Sequence, residues 1–394
     1  MNKVISIGNQ GFDKIRENDY FYVDKTGFIK EWWESGDDVT LITRPRRFGK
    51  TLNMDMLKCF FSNQYTGRAD LFEGLSIWKE EKYRELQGQY PVIFVSFADV
   101  KERDYESAVR KIKHILVDLY LQYEFLKKNF SESEQMRYRQ ISYNMDNVAA
   151  QDALKSLAYP QALLNYSMLT DVSECLFQYY GKKAIILLDE YDTPMQEAYI
   201  HGYWEEFTGF MRSLFNATFK TNPYLKRAVM TGITRVSKES MFSDLNNLNV
   251  VTMTSTEYAA AFGFTEEEVF AALDSYGMPE QKESVKKWYD GFVIGTEKDI
   301  YNPWSITNFL KKKEYQTYWV ATSSNGMVSK LIQTASSEVK TKMEELLQGG
   351  EIVENFDEQI MFNQLYVNES AIWSLLMARG YLKAVEVEYR GEEM

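Results

Sequence analysis

The stretch that decides the fold runs from residue 39 to residue 51: Val39-Thr-Leu-Ile-Thr-Arg-Pro-Arg-Arg-Phe-Gly-Lys-Thr51. Its first part, Val39 to Ile42, is apolar and β-branched and predicts a buried strand, and Leu52 to Phe61 predicts a helix. Strand, loop, Gly-Lys-Thr and helix is the order of a phosphate-binding loop, because the backbone N–H groups then point at the anion. In such a loop the lysine binds the β- and γ-phosphates and the hydroxyl binds Mg²⁺.

The Arg-rich loop, residues 44–49, departs from the usual pattern at one position. Arg44 stands where Gly-x-x-x-x-Gly-Lys-[Ser/Thr] has its first glycine, which weakens the motif taken alone. An ordinary turn, with Thr51 capping the helix, would also fit these residues. Three arginines within four residues, Arg44, Arg46 and Arg47, favour an anion site, because such crowding of like charge is costly without one.

A second signal lies at residues 184–192, Ala-Ile-Ile-Leu-Leu-Asp-Glu-Tyr-Asp. The apolar residues predict a buried strand, and Asp189 and Glu190 follow at its C-terminal end, where parallel sheets bind ligands. There an aspartate can hold Mg²⁺, and an adjacent glutamate can deprotonate an attacking water. The alternative is a solvated turn closed by Asp192-Thr193-Pro194, and the Arg-rich loop upstream makes the paired interpretation stronger.

A third buried strand is predicted at Ala228 to Arg235. In ATPases that have additional strands between the phosphate loop and the acidic strand, the next strand ends in a polar group near the γ-phosphate. Thr231 and Thr234 are candidates for that group. Arg235 is a candidate for neutralising transition-state charge, from the same or a neighbouring subunit, and an exposed arginine at a strand end is the equal alternative.

Composition limits the class of protein. The 394 residues suggest two to three domains, and 45% apolar residues indicate globular cores. The net charge of −12 disfavours non-specific binding to nucleic acid or anionic membranes. Two cysteines and two histidines provide neither a disulfide framework nor a zinc site. With no signal peptide and no apolar run near the ~20 residues of a membrane span, we expect a cytoplasmic protein without membrane contact.

The order of elements predicts an α/β fold, a parallel sheet with helices on both faces. Further strands are predicted at Val92–Phe97 and Val250–Thr254, and a short one at Tyr20–Val23. The aromatic side chains of Tyr20 to Tyr22 could pack on a base, and packing in a half-buried strand explains them equally well. We expect a nucleotide-binding domain at residues 1–262, with a helical insertion at about 101–170. Residues 263–394 are expected to form a smaller, mostly helical, winged-helix-like lid. It includes a Thr-x-x-Glu capping box at Thr265 and a helix from Ser370 to Leu382.

Six phrases in this order resemble the AAA-ATPase-like family of predicted bacterial and archaeal ATPases, over roughly residues 5–385. The family also has arginine in place of the first loop glycine, and its members commonly continue into a PD-(D/E)xK nuclease-like domain. No Asp…Glu-x-Lys core is found here, so the chain is expected to be a form without the nuclease. The phrases are Phe21-Tyr-Val-Asp-Lys-Thr26, Thr43-Arg-Pro-Arg-Arg-Phe-Gly-Lys-Thr51, Leu188-Asp-Glu-Tyr-Asp192, Gly232-Ile-Thr-Arg-Val236, Trp288-Tyr-Asp-Gly-Phe292 and Tyr301-Asn-Pro-Trp-Ser305.

The resemblance implies an AAA/ASCE-like P-loop NTPase with Walker A and Walker B motifs, ATP and Mg²⁺. It places Lys50 and Thr51 on the phosphates and the metal, Asp189 on the metal, and Glu190 as catalytic base. Thr231 and Arg235 are implied as further catalytic groups. The expected nucleotide-binding residues are Arg46, Arg47, Phe48, Gly49, Lys50 and Thr51, and the expected metal ligands are Thr51 and Asp189.

Three functions remain open from the sequence. The first is an ATPase in which hydrolysis moves the lid. The second is a module that binds nucleotide without hydrolysis and controls an effector protein, such as a nuclease, or its own homo-oligomer. The third, a DNA-associated motor, is disfavoured by the acidic charge and the lack of a basic stripe.

Overall fold

The chain forms a parallel sheet with helices on both faces, followed by a smaller unit of helices and a hairpin. The structure is a computed structural model. Residues 124–165, most of the predicted helical insertion, lie outside the described residues. The described residues are 2–123, 166–235, 241–242, 244–318, 326–356 and 370–386.

The central sheet has five parallel strands in the described part of the chain, which confirms the predicted α/β class. The strands are β1 (Val39–Thr43), β2 (Val92–Ser96), β3 (Ala184–Asp189), β4 (Leu225–Gly232) and β5 (Leu248–Val251). Their order is β2-β3-β4-β1-β5, so β4 separates the strand before the Arg-rich loop from the acidic strand. Because Thr43 pairs with Gly232 in this parallel register, the segments that follow β1, β3 and β4 all leave the same edge of the sheet.

Both faces of the sheet are buried, because successive strand residues alternate between two hydrophobic cores. Ile186 and Leu188 of β3 pack into one core, and Ile185 and Leu187 pack into the other. This alternation follows from the two-residue period of a strand. It also explains why the strand sequences are continuously apolar rather than alternating.

Helices cover both faces of the sheet. Within the described ranges, none of them has the length and apolarity that a membrane span requires. The α-helices of the described residues, including those of the unit that follows the sheet, are α1 (Phe12–Glu17), α2 (Gly27–Ser35), α3 (Lys50–Phe61), α4 (Glu81–Leu86), α5 (Tyr105–Gln122), α6 (Met168–Tyr180), α7 (Thr193–His201), α8 (Trp204–Phe215), α9 (Glu266–Ser275), α10 (Lys282–Tyr289), α11 (Pro303–Lys312), α12 (Gly326–Thr334), α13 (Ser337–Leu347) and α14 (Ser370–Ala378).

The second unit is built from α9, α10, α11 and an antiparallel hairpin, β6 (Phe292–Ile294) and β7 (Glu297–Ile300). The predicted capping box is present, since Thr265 and Glu268 each bond the other's backbone N–H at the start of α9. Ile5 and Phe21, from the N-terminus, share a hydrophobic core with Leu273 of α9. The N-terminal segment therefore packs on the second unit, and the boundary at residue 262 stays a prediction.

Two sequence-based element predictions are wrong. Residues 20–23 form no strand, although the Phe21 N–H donates a hydrogen bond to the Val4 carbonyl at 2.9 Å. The helix predicted to reach Leu382 ends at Ala378, and Gly380 follows with a φ of 79°. A glycine in the left-handed region is the usual way for a helix to end.

Candidate functional site

The Arg-rich loop wraps around the side chain of Lys50. Gly49 precedes α3 with a φ of 83°, a conformation that glycine adopts without strain. Lys50 follows in the first turn of α3 and is 4% exposed. Its ammonium donates hydrogen bonds to the carbonyl oxygens of Arg44, at 3.1 Å, and Pro45, at 3.2 Å. The loop thus places a buried cation at a helix N-terminus, which itself favours anions.

The acidic end of β3 meets this loop across 138 residues of sequence. The Thr51 hydroxyl donates a hydrogen bond to Oδ2 of Asp189 at 2.7 Å, and Lys50 Nζ lies 3.7 Å from Oε1 of Glu190. From β4, the Thr231 hydroxyl donates a hydrogen bond to Oδ1 of Asp189. Strands β1, β3 and β4 therefore contribute to one cluster of hydroxyl, carboxylate and ammonium groups.

Glu190 occupies an unfavourable position in this cluster. Its φ of 55° is uncommon for a residue with a side chain. Burial raises the pKa of its carboxyl above the ordinary value, while the Lys50 ammonium acts in the opposite direction. The Thr193 hydroxyl donates a hydrogen bond to Oε2 of Glu190 at 3.3 Å. Strained and desolvated residues of this kind are found at functional sites.

A cavity of about 940 Å³ opens over the cluster, within the size range of small-molecule sites. One part of its lining is charged, with Arg46, Lys50 and Glu190 among its residues. Another part comes from the N-terminal segment and the second unit, including Phe21 and Trp304. The cavity therefore joins a charged end to a more apolar end.

Residues 6–242 of the chain, more than half of its length, match the model of a family described as predicted AAA-ATPase. The chain belongs to the predicted AAA-ATPase family. It is also similar to a protein of Azotobacter chroococcum mcd 1 described as an uncharacterized protein in the vnfD 5′ region. The two sequences are 28% identical over 375 residues, 93% of this chain and 64% of that relative. This predicted AAA-ATPase therefore spans less than two thirds of the relative's length.

Most of the site residues expected from the sequence line the cavity of this predicted AAA-ATPase. They are Arg46, Arg47, Phe48, Gly49, Lys50, Thr51, Asp189 and Glu190. Thr231 lies behind Asp189, fully buried, and contacts it directly. Arg235 is half-buried at the start of the segment after β4, and it is not part of the described cavity lining.

Arg44 differs from the expectation that three arginines surround an anion. Its side chain is fully buried and points into the protein. The guanidinium donates hydrogen bonds to carbonyl oxygens of the segment after β5, at 2.6 Å to Thr252, 3.3 Å to Glu257 and 3.5 Å to Tyr258. The arginine at the glycine position of this predicted AAA-ATPase therefore joins the loop to the neighbouring strand, and it is not one of the cavity-lining cations.

Two other loop residues contact the second unit. The Arg47 guanidinium lies over the Trp304 ring, 4.3 Å from its centroid. The Phe48 side chain is buried beside Phe292 of the hairpin, while the Phe48 carbonyl accepts a hydrogen bond from the Gly263 N–H at 3.2 Å. Any contact of Phe48 with phosphate would therefore come from its backbone.

Asp192 is a buried hydrogen-bond acceptor and is not part of a solvated turn. It is fully buried and accepts hydrogen bonds from the Thr234 N–H at 2.9 Å and the Thr234 hydroxyl at 2.7 Å. It also accepts one from the Gln196 side chain at 2.9 Å. This carboxylate fixes the segment after β4 against α7.

Gln196 and Arg379 are among the cavity-lining residues that the sequence analysis did not predict. The Arg379 guanidinium donates a hydrogen bond to Oε1 of Gln196 at 2.6 Å, across 183 residues of sequence. No local pattern marks either residue as part of the site. In the sequence, Arg379 simply follows an apolar helical stretch, and Gln196 lies within a helix.

Proposed function

We propose that this chain binds Mg²⁺-ATP in the cavity over the Arg-rich loop and hydrolyses it. The observation that carries the proposal is the meeting of Lys50 and Thr51 with Glu190 and Asp189 at one edge of a parallel sheet. A buried lysine at a helix N-terminus favours phosphate, and the adjacent carboxylates supply metal and base chemistry.

The loop and helix α3 would bind the triphosphate. Lys50 would bind the β- and γ-phosphates, together with backbone N–H groups of Phe48 and Gly49. Arg46 and Arg47 add positive charge beside them. Because backbone dipoles and fixed cations need little reorganisation, they can stabilise the charge that develops during phosphoryl transfer.

Thr51 and Asp189 fit a magnesium site. A hydroxyl and a carboxylate, already 2.7 Å apart, are the hard oxygen ligands that Mg²⁺ binds together with phosphate and water. When bound, Mg²⁺ would neutralise charge on the β- and γ-phosphate oxygens. Thr231 holds the other carboxylate oxygen of Asp189, and we assign it the role of orienting that ligand.

Glu190 would act as the general base. Its carboxylate accepts a proton from the water whose oxygen attacks the γ-phosphorus, while the bond from that phosphorus to the ADP oxygen breaks. The Lys50 ammonium at 3.7 Å favours the ionised carboxylate that this step requires. Arg235 is a candidate for neutralising the negative charge of the transition state, either within the same chain or on a neighbouring subunit.

Nucleotide turnover is proposed to act as a conformational switch through the second unit. The Asn302 side chain donates a hydrogen bond to the carbonyl oxygen of Arg46 at 3.2 Å, and Trp304 stacks on Arg47. A shift of the Arg-rich loop on phosphate binding would therefore move residues 302–304 directly.

The substitution Glu190→Gln tests the proposal. In Glu190→Gln we expect phosphate release to fall by a factor of about 100 or more, while ATP affinity in calorimetric titration stays close to that of the wild type. Glu267→Gln, an exposed carboxylate outside the cavity lining, is the matched control and should leave both quantities unchanged. Absence of turnover in the wild type, or equal turnover in Glu190→Gln, contradicts hydrolysis at this site.

Nucleotide binding without hydrolysis is the second candidate, and the environment of Glu190 favours it. Burial raises the pKa of this carboxyl and so disfavours the ionised form that accepts a proton from water. Tight ATP binding without phosphate release, together with an ATP-dependent change in oligomeric state or in binding of an effector protein, would identify this function. Sedimentation velocity with and without ATP measures the first of these.

A further inference from the structure

Arg379 reaches the nucleotide cavity from the far end of the chain. It follows helix α14, its backbone N–H donates a hydrogen bond to the Leu375 carbonyl at 3.0 Å, and it is 5% exposed. It lines the same cavity as Arg46 and Lys50. Nothing in the proposed hydrolysis assigns a role to this buried cation.

Helix α7 fixes the direction of the Arg379 side chain. Gln196 accepts a hydrogen bond from Arg379 at 2.6 Å, and its own amide donates one to Asp192 at 2.9 Å. Asp192 is in turn held by the backbone and hydroxyl of Thr234. Because α7 begins three residues after Glu190, this chain of contacts places Arg379 on the side of the cavity where the proposed base lies.

The turn after Arg379 is fitted against the Arg-rich loop. Gly380 has a φ of 79°, and a Cβ added there would lie 3.0 Å from Cβ of Pro45. Both the backbone conformation and the close approach require glycine. The contact keeps Arg379 beside the loop rather than at the surface.

The electrostatics indicate that an anion belongs between these arginines. Burial, and after it the positive charge of Arg46, lower the pKa of Arg379 to about 10, while the carboxylates of Asp192 and Glu197 act in the opposite direction. Because the pKa stays below the ordinary value of 12.5 in spite of these carboxylates, a further negative group in the cavity would stabilise the two guanidinium groups. The arginines that line the cavity are Arg46, Arg47 and Arg379, whereas the sequence predicted Arg44, Arg46 and Arg47 around an anion.

We infer that Arg379 binds the terminal phosphate of the nucleotide, held for this purpose by Gln196, so that residues 370–386 complete the ATP site within one chain. The inference rests on the proposed function and deepens it. ATP carries the γ-phosphate next to Glu190 and ADP lacks it, so Arg379 distinguishes the two nucleotides. Gln196 and Asp192 are positioning residues, since they act through Arg379.

The test compares affinities for a non-hydrolysable ATP analogue and for ADP, each with Mg²⁺, by calorimetric titration of the full chain. Arg379→Ala should weaken binding of the analogue by about 10-fold or more, the size expected for one charge-assisted hydrogen bond, and should change ADP affinity by less than about 3-fold. Arg379→Lys should recover part of the lost affinity. Gln196→Ala should, like Arg379→Ala, reduce the affinity for the analogue relative to the affinity for ADP. Arg84→Ala, an exposed arginine outside the cavity lining, is the control.

The outcomes distinguish failure of the role inferred for Arg379 from failure of the proposed function. An equal loss for both nucleotides in Arg379→Ala, or no loss for either, overturns the role assigned to Arg379. If Arg379→Ala is unstable, Arg379→Lys and Gln196→Ala still decide the question. An unchanged affinity for the analogue relative to ADP in both of these variants also overturns the role assigned to Arg379. Failure of the wild type to bind either nucleotide overturns the proposed function itself.

Discussion

At the scale of single residues, Glu190 holds the least favourable position in the site. It combines a left-handed backbone conformation with a largely buried carboxyl, and Asp189 and Asp192 lie close enough to raise its pKa further. Each of these features costs folding free energy. A residue chosen only for stability would not occur here, which is why we attribute its presence to chemistry on a bound ligand.

The pKa of Glu190 predicts a pH-dependent gain in stability on substitution. The folded-state pKa lies above the ordinary value of 4.5, so folding favours the protonated form. The contribution of this group to stability is therefore greatest at low pH and is lost as pH rises through the folded-state pKa. Glu190→Gln removes the ionisation, so its melting temperature relative to the wild type should increase as the pH rises above 4.5.

Thermal unfolding followed by circular dichroism at several pH values measures this difference. Glu267→Gln, which replaces an exposed carboxylate, should show no such trend. A wild type that is more stable than Glu190→Gln by an increasing margin toward pH 8 would show that Lys50 stabilises the carboxylate more than burial disfavours it.

At the scale of elements, Arg44 connects strand β1 to the segment after β5. The guanidinium bonds carbonyl oxygens more than 200 residues away, inside the protein. We predict that Arg44→Gly, which restores the usual phosphate-loop pattern, lowers the free energy of unfolding by about 3 kcal/mol or more, because buried carbonyls lose charged donors. Urea unfolding measures the loss. If Arg44→Gly is as stable as the wild type and binds ATP more tightly, then Arg44 only obstructs the loop.

The contact between Gly380 and Pro45 predicts a different effect for two similar substitutions. Gly380 and Gly349 both have φ near +80°, so an alanine at either position should cost about 1 kcal/mol of stability. Only at Gly380 does the added Cβ meet the Arg-rich loop, since nothing lies within 4 Å at Gly349. Gly380→Ala should therefore also weaken ATP binding in calorimetric titration, whereas Gly349→Ala should not. Equal ATP affinity in both variants would show that the turn does not support the site.

At the scale of the whole molecule, the sequence predicts what depends on local pattern and misses what depends on distant contacts. The strands of the sheet and the positions of Lys50 and Asp189 follow from apolar runs and from the residues that end them. The direction of the Arg44 side chain, the burial of Asp192 and the arrival of Arg379 at the cavity do not, because each is decided by a partner that only the folded chain brings near. Charge crowding in the sequence predicts an anion site at residues 44–47, but it does not say which of these arginines line the cavity.

The N-terminal segment and the second unit are joined through Lys25 and Glu268. Lys25 Nζ lies 2.6 Å from Oε2 of Glu268, and the two side chains are 9% and 26% exposed. The same ammonium donates a hydrogen bond to the Ala260 carbonyl at 2.8 Å. Ile5 and Phe21 also pack into the core of the second unit. Together with the ion pair, they connect the N-terminal segment to the second unit. Nucleotide bound in the cavity between them would stabilise the two units together.

We therefore predict that the chain unfolds in one cooperative transition and that Lys25→Met weakens the coupling. Loss of the largely buried ammonium leaves Glu268 without its ion-pair partner, and we expect unfolding to become easier by about 2 kcal/mol, less than for a fully buried pair because Glu268 is partly exposed. Lys30→Met is the matched control, since its ion pair with Glu80 is 42% exposed on both sides and should contribute little. Differential scanning calorimetry should show a single peak for the wild type and Lys30→Met and a broadened or split peak for Lys25→Met. Two separate peaks in the wild type would mean that the units fold independently, and nucleotide binding could then not transmit a change from one to the other through this contact.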